Sequence, residues 1–429
     1  MRFGFYTLGC KVNQYETQAM AQLLTARGHE VVDFQEKCDV YVINTCSVTA
    51  VADRKNRTVI RRCRKENPNA LIAVCGCYPQ HDAEAVSQLG VDVIGGSSDR
   101  EEFVKLLITA AADRQKRHLV DDALSRRQFQ PLPAGGGDGR TRGMLKVQDG
   151  CDNFCTYCII PYTRGHVRSA DLHWCVEQAV ALSQAGYREI VLTGIEIASW
   201  GRDLPERPTL ITLLEAVCHA VPQVRIRLGS LEPRIVDEDF CRRAAELPNL
   251  CQHFHLSLQS GSDAVLKRMK RKYDTNRFYQ SVEYLRRFFP NCGITTDMIV
   301  GFPGETEEEF EESLNFIQKC GFSDMHIFPY SRRPGTPADK MPNQLPNAVK
   351  EDRSRRAIQV AQKMKEAFLQ SLAGTTCQVL FEQTEGGFFT GHTPNYVKVY
   401  TRGTDLQNEI HPVFLENPHA DGIFGNILP

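Results

Sequence analysis

The chain has 429 residues, room for two or three domains, and a formal net charge of −1. A charge so near zero excludes the global attraction of a strongly basic nucleic-acid binder, so any RNA partner has to be met by a local patch. The chain opens without a signal-peptide pattern and holds no apolar run near the ~18 residues of a membrane helix, so its sixteen cysteines point to a reducing, cytoplasmic setting with metal binding or catalysis rather than disulfides.

Residues 1–125 alternate strand and helix patterns. Strands are expected over 2–8, 40–44, 71–74 and 91–94, with helices such as 14–27 and 53–66 between them. This alternation predicts an open, mostly parallel α/β sheet. Cys10, Cys46 and Cys77 follow the first three strands. Ligands of such sheets gather at the carboxyl ends of strands, so the three thiols are expected to converge as one three-thiolate site. Three ordinary buried cysteines are the competing reading. Cys75 lies two residues before Cys77 and shares its face if the strand alternates, as a fourth ligand or a small core residue. The helix after Cys46 carries Arg54, Lys55, Arg57, Arg61, Arg62, Arg64 and Lys65, which suits RNA contact or a solvated face.

Residues 126–143 read as a linker, with proline and glycine crowding from 130 onward. From 144 to 369 the alternation becomes regular. Strands are expected over 144–148, 189–193, 225–229, 253–258, 295–300 and 325–330, with helices such as 172–185, 210–220, 237–246, 264–269, 276–288 and 307–320. Six β/α units predict a partial barrel with its site at the strand carboxyl ends. The loop after the first of these strands holds Cys151, Cys155 and Cys158 at spacing C-x-x-x-C-x-x-C. Three thiolates in eight residues suit three corners of a cubane iron–sulfur cluster, with the fourth iron open for chemistry. Zinc is the rival, but structural zinc takes four ligands, and His166 is eight residues past Cys158. The other strand ends carry Gly194, Glu196, Ser230, Gln259 and Asp297, which suit a polar ligand or serve as turn and cap residues. The acidic run 307–312 reads as the start of an exposed helix. The basic run 267–272 reads as a surface helix or a phosphate contact.

Residues 370–429 turn to short β patterns, 377–382 and 396–400 among them, and predict a small all-β barrel. Phe388, Phe389, Tyr396 and Tyr400 are candidates for stacking on bases. Two basic residues, Lys398 and Arg402, stand against six acidic ones, Glu382, Glu385, Asp405, Glu409, Glu416 and Asp421, a poor balance for binding phosphate.

The motifs together resemble one family. CDNFCTYCIIPYTRG, from Cys151 to Gly165, resembles the radical S-adenosylmethionine (SAM) motif of the methylthiotransferases. TLGCKVNQYE, INTCSVTAVAD and CGCYPQ resemble that family's amino-terminal domain. LTGIEI, HLSLQSG, DMIVGFPGE and SRRPGTPA resemble its radical domain, and GHTPNYVKVY its terminal TRAM barrel. The resemblance implies a [4Fe–4S] cluster on Cys151, Cys155 and Cys158 that cleaves SAM to a hydrogen-abstracting radical. It implies a second [4Fe–4S] cluster on Cys10, Cys46 and Cys77 that delivers a methylated sulfur. Gly194, Glu196, Ser230, Gln259 and Asp297 are candidate SAM contacts from their positions alone. The implied partners are a tRNA, a reductase or flavodoxin-type electron donor and a sulfur donor. The residues flanking Cys10 look most like the branch acting on threonylcarbamoyladenosine beside the tRNA anticodon. Isopentenyladenosine in tRNA and an aspartate of a small-subunit ribosomal protein are the substrates of the other two branches. Outside the family, an iron–sulfur electron carrier or a zinc-dependent RNA-binding module would use the same cysteines.

Overall fold

The computed structural model describes residues 1–135 and 141–428. The part of the linker at 136–140 lies outside the described residues. In chain order the amino-terminal region runs β1 (Arg2–Thr7), α1 (Lys11–Thr25), β2 (Glu30–Val32), β3 (Val40–Thr45), α2 (Ala50–Glu66), β4 (Leu71–Gly76), α3 (Cys77–His81), α4 (Ala83–Ser87), β5 (Val93–Gly95), α5 (Arg100–Asp113) and β6 (Arg117–Leu119). All pairings in its sheet are parallel, in the order β2-β1-β3-β4-β5-β6. The central strands β3 and β4 are buried along their whole length, as expected where helices cover both faces. The edge strands β2 and β6 escape the sequence reading because each is three residues long and only partly apolar.

The middle of the chain runs β7 (Arg142–Lys146), β8 (Gln148–Asp149), α6 (Ile160–Arg164), β9 (Arg168–Ser169), α7 (Leu172–Gln184), β10 (Glu189–Thr193), α8 (Leu210–Ala220) and β11 (Arg225–Leu228). It continues through α9 (Glu238–Ala245), β12 (His253–Gln259), α10 (Asp263–Arg268), α11 (Thr275–Phe288), β13 (Gly293–Val300), α12 (Glu307–Cys320), β14 (Asp324–Pro329) and α13 (Asn347–Leu372). The six long strands form two parallel three-stranded sheets, β11-β10-β7 and β12-β13-β14. Single bridges Ile226–Leu250 and Leu231–Leu256 join them across the β11–β12 seam. The expected six-unit partial barrel is therefore present, curved in two halves. One apolar core runs through it, from Leu145 and Trp200 to Phe278, Phe310 and Ala361. The acidic start of α12 is exposed, as expected, and is also held by pairing. Thr306 and Glu309 make a reciprocal cap, and Glu307 and Glu311 pair with Arg353 and Arg356 of α13.

The chain closes with β15 (Thr376–Glu385), β16 (Phe388–His392), β17 (Lys398–Thr401), β18 (Ile410–His419) and β19 (Gly422–Ile427), a closed barrel in the order β15-β16-β17-β19-β18. It docks on the seam side of the partial barrel. Arg225 donates to the carbonyls of Gln378 and His392, Arg227 to those of Thr393 and Pro394, and Asn395 to that of Asn291. A Cβ on Gly293 would sit 2.2 Å from the Asn395 oxygen, so only glycine allows this approach. The aromatics suggested as base platforms are engaged inside the protein. Tyr396 lies between His253 and His392, Tyr400 donates to Asp421, and Phe389 packs on the barrel core. No helix among the described residues is long and apolar enough to cross a membrane.

Candidate active site

The Cys151–Cys158 loop leaves β8 through Gly150, at φ +73°, where a Cβ would meet the His166 oxygen at 1.8 Å. Backbone bonds then shape the loop: Cys151 N–H to Gly165 O (3.0 Å), Cys158 N–H to Cys155 O (3.0 Å) and Thr156 N–H to Met269 O (3.1 Å). The three thiols lie close enough to act on one another electrostatically. Burial pushes the Cys151 and Cys158 thiols up to about 12, so loading a metal there has to release protons. Arg271 answers part of that cost. Its guanidinium donates to Cys155 Sγ (3.3 Å) and the Ser257 carbonyl (3.2 Å) and lies over the Tyr273 ring. This corrects the reading of the run 267–272. Arg268 is tied to Glu309 and Arg271 faces the thiols, while Lys267, Lys270 and Lys272 are exposed.

Cys10, Cys46 and Cys77 also come together, each at the carboxyl end of its strand. Cys10 is exposed into a cavity, and Cys46 and Cys77 are buried. Partial loss of solvation in the cavity raises the Cys10 thiol, and burial pushes that of Cys46 up to about 12, while Arg164 pulls both down. Two asparagines hold the loops. Buried Asn13 donates to the carbonyls of Leu8 (2.8 Å) and Thr45 (2.9 Å), and Asn56 to that of Cys46 (2.6 Å). Gly9, at φ +106°, lies so close to Cys46 that a Cβ would stand 2.9 Å from its Sγ. Cys75 does not share a face with Cys77. Gly76, at φ +100°, breaks the alternation, so Cys77 starts α3 while Cys75 stays in the core with Phe3, Val42 and Ala73. A Cβ at Gly76 would meet the Thr45 oxygen at 2.4 Å.

The two thiol groups lie near each other, because α3, which Cys77 opens, packs on α6 just past Cys158. Among the described residues no three His, Cys, Asp or Glu side chains converge on a point where one ion would sit. A cubane takes one thiolate per iron, so its ligands stand further apart than those of a single ion. Two sets of three cysteine thiols, set in tight glycine turns beside a cationic network, are a donor set that fits two such clusters.

That network bridges the first two regions. Glu16 of α1 accepts from Arg100 (2.7 Å), Lys146 (3.0 Å) and Arg164, and Arg164 also donates to Asn13 (2.7 Å). Asp149 pairs with Lys146 (2.6 Å), Arg164 (3.5 Å) and Arg168 (3.5 Å). All six charged groups are buried, and four cations face two carboxylates. The surplus positive charge lies beside Cys10 and Cys77, where thiolates would form. A second bridge joins Arg333 to Asp53 (2.5 Å) and Ser47 (2.6 Å), next to Cys46. Neither bridge was legible in sequence, because the pairs that join the two regions lie 130 to 286 residues apart. The basic helix α2 spends two cations internally, Arg64 on Asp92 and Arg57 on Tyr78, and leaves Arg54, Lys55, Arg61 and Lys65 exposed.

The strand-end candidates divide into two groups. Gly194 and Glu196 follow β10 beside the Cys151 loop. The Gln148 side chain accepts from the Glu196 N–H (2.8 Å), and a Cβ on Gly194 would press on it at 2.9 Å. Glu196 Oε1 is buried without a hydrogen-bond partner, and burial pushes this carboxyl up to about 7. Such a group suits a cationic ligand. Gln259 ends β12 at φ +69°, where the register with β13 shifts. Ser230 and Asp297 instead line a cavity of about 650 Å³ together with Cys10. Asp297 is mid-strand in β13, not at its end, and pairs with His255 (3.3 Å).

Comparison with known proteins supplies the chemistry. Residues 145–317 match the radical SAM superfamily, and residues 2–96 match the uncharacterized protein family UPF0004. The threonylcarbamoyladenosine tRNA methylthiotransferase MtaB of Bacillus subtilis is 41% identical over 94% of this chain and 90% of its own. That of Aquifex aeolicus is 36% identical over 94% and 97%. A tRNA-2-methylthio-N(6)-dimethylallyladenosine synthase of Pelotomaculum thermopropionicum is 32% identical over 96% and 94%. Among solved structures, the radical SAM methyltransferase TsrM of Kitasatospora setae, with cobalamin and a [4Fe–4S] cluster bound, aligns with a TM-score of 0.57 at 13% identity, over 91% of this chain and 80% of that one. At that identity the likeness is one of fold.

Proposed function

The chain belongs to the radical SAM methylthiotransferase family, and from that premise we infer that it methylthiolates carbon 2 of N6-threonylcarbamoyladenosine in tRNA, with SAM and two [4Fe–4S] clusters. The observation that carries the substrate is the near-full-length identity of 41% to a threonylcarbamoyladenosine enzyme, against 32% to a dimethylallyladenosine one. Cys151, Cys155 and Cys158 hold one cluster and Cys10, Cys46 and Cys77 the other; the approach of Cys77 to Cys158 supports this, since both have to act on one base. When bound, the clusters and SAM supply the one-electron chemistry that removes the C2 hydrogen and the methylated sulfur that replaces it.

The chain's own residues bind and orient. Glu196, whose buried Oε1 has no partner, and the backbone at Gly194 would contact SAM. Ser230, Gln259 and Asp297 are the further candidate contacts, with Ser230 and Asp297 on the cavity that also opens on Cys10. Arg271 stabilises the thiolate of Cys155. The two buried bridges hold the cysteine sets at a fixed separation. A reductase or flavodoxin-type protein supplies electrons, a separate donor supplies sulfur, and the cytoplasm, where tRNA is modified, is the setting.

The test is nucleoside mass spectrometry on tRNA from a deletion strain. Loss of the 2-methylthio form of threonylcarbamoyladenosine is expected. Unchanged tRNA would overturn the reading, as would loss of only the isopentenyl form.

Two further results are expected at this site. Arg271→Met removes a charge-assisted hydrogen bond from Cys155, so the midpoint potential of that cluster moves negative, on the order of 50 mV, in an EPR-monitored redox titration. Glu196 is protonated below about pH 7, so SAM binding to the loaded protein weakens as pH falls through that value. Equilibrium dialysis between pH 6 and 8 checks this, and in Glu196→Gln the pH dependence should be lost.

A further inference from the structure

We propose that Lys11 binds the carboxylate of the threonylcarbamoyl group and so selects this nucleoside over adenosines with uncharged N6 substituents. The proposal rests on the activity inferred above.

The cavity beside Cys10 is lined by Lys11, His253, His255, Asp297 and Tyr396, among others. Its other lysines are already used: Lys365 is paired with Asp324 (2.8 Å), and Lys398 with Glu385 (2.8 Å). The nearby guanidinium groups are used as well. Arg227 forks onto Glu189 (2.6 and 2.9 Å), and Arg142 meets Glu382 (2.5 Å). The exposed Lys11 side chain has neither ion pair nor hydrogen bond among the described residues. It is the lysine of this cavity that is free to meet an acidic ligand.

A second group points to the same missing ligand. His253 is 6% exposed and donates to or accepts from Thr295 Oγ1 through Nε2 (2.9 Å). Its Nδ1 is buried without a partner. A buried polar atom left unpaired is costly unless something else completes it. The ring is stacked on Tyr396 at 4.6 Å, so it cannot turn away without breaking that wall. An unpaired ammonium, an unpaired imidazole nitrogen and an aromatic wall together suit a small anion that also carries hydrogen-bonding groups. The threonyl unit has both, a carboxylate and a hydroxyl.

The substrate's own geometry places it there. In adenine, C2 and C6 flank N1. A cluster that delivers sulfur to C2 therefore sits beside whatever C6 carries. Cys10 is a ligand of that cluster in the reading above, and Lys11 is the next residue. Lys11 also opens α1, a helix with no acidic residue in its first turn, whose amino-terminal end favours an anion.

The experiment measures binding of anticodon stem-loop RNAs to the cluster-loaded, full-length enzyme. One RNA carries threonylcarbamoyladenosine and one its threonyl methyl ester, which keeps the shape and removes the charge. The wild type should bind the acid about tenfold more tightly than the ester, a difference of about 1.4 kcal/mol. K11M should bind both as the wild type binds the ester, and K11R should restore the preference. Iron content reports loading, and K11Q replaces K11M if K11M loads poorly. Equal wild-type affinity for acid and ester overturns the proposal. So does a loaded K11M or K11Q that keeps the preference, or one that weakens both RNAs equally, the mark of a backbone-phosphate contact. A wild-type enzyme that binds the acid but never methylthiolates it would instead refute the inferred activity.

Discussion

Replacing Cys46 by serine should halve the iron held per chain, from about eight atoms to about four, and stop methylthio transfer while SAM cleavage continues. The two thiol sets are built separately. Cys10, Cys46 and Cys77 end three strands of the amino-terminal sheet, and Cys151, Cys155 and Cys158 lie in one loop after β8. Loss of one thiolate from the first set leaves the Gly150 turn, the backbone bonds of the second loop and the Arg271 contact intact. Cys10→Ser and Cys77→Ser should behave alike. Iron analysis, a SAM-cleavage assay and product mass spectrometry on anaerobically loaded protein read the three consequences. A Cys46→Ser protein with the full iron load would remove Cys46 from the ligand set. Cys75 is a poor substitute there, since it stays in the sheet core.

Glu16→Ala should cost on the order of 3–5 kcal/mol, because it leaves buried cations without their counter-charge. Arg100 would then lose its carboxylate, and Lys146, Arg164 and Arg168 would be left with Asp149. The loss is measured by denaturant or thermal unfolding, and it should bring poorer loading of the Cys10 set, since Arg164 would no longer be held against Asn13. The pH dependence follows from the same contacts. The surrounding cations hold the Glu16 carboxyl well below its usual range. Its contribution is therefore fully present above about pH 4.5 and is lost as pH falls toward the lowered value. Glu16→Gln should flatten that acid limb. A Glu16→Ala protein as stable as the wild type would show that the network contributes nothing net.

Legibility followed the range of the interactions. The Cys151 loop could be read because its three thiols lie within eight residues, a spacing with few uses. The parallel sheets could be read because strands buried on both faces are continuous apolar runs, as in β3 and β4. Cys75 is the small core residue that one of its two readings expected; the fourth-ligand reading fails because Gly76 leaves the strand conformation just before Cys77. The basic run 267–272 looked like surface, because nothing local says that Arg271 turns inward to Cys155. The terminal aromatics looked like base platforms, because their composition cannot show that Tyr396 is wedged between two histidines.

By itself the sequence determined the chemistry: which thiols are available, how strand and helix alternate, and which family the motifs belong to. These are local properties, set by residue type, short spacing and periodicity. Only the tertiary structure decided how that chemistry is arranged. It brings Cys77 near Cys158, encloses four cations around two carboxylates between the regions, and leaves the Lys11 ammonium and His253 Nδ1 on one cavity without partners. Those facts depend on contacts between residues far apart in the chain, and a long-range contact is fixed only when the whole fold closes.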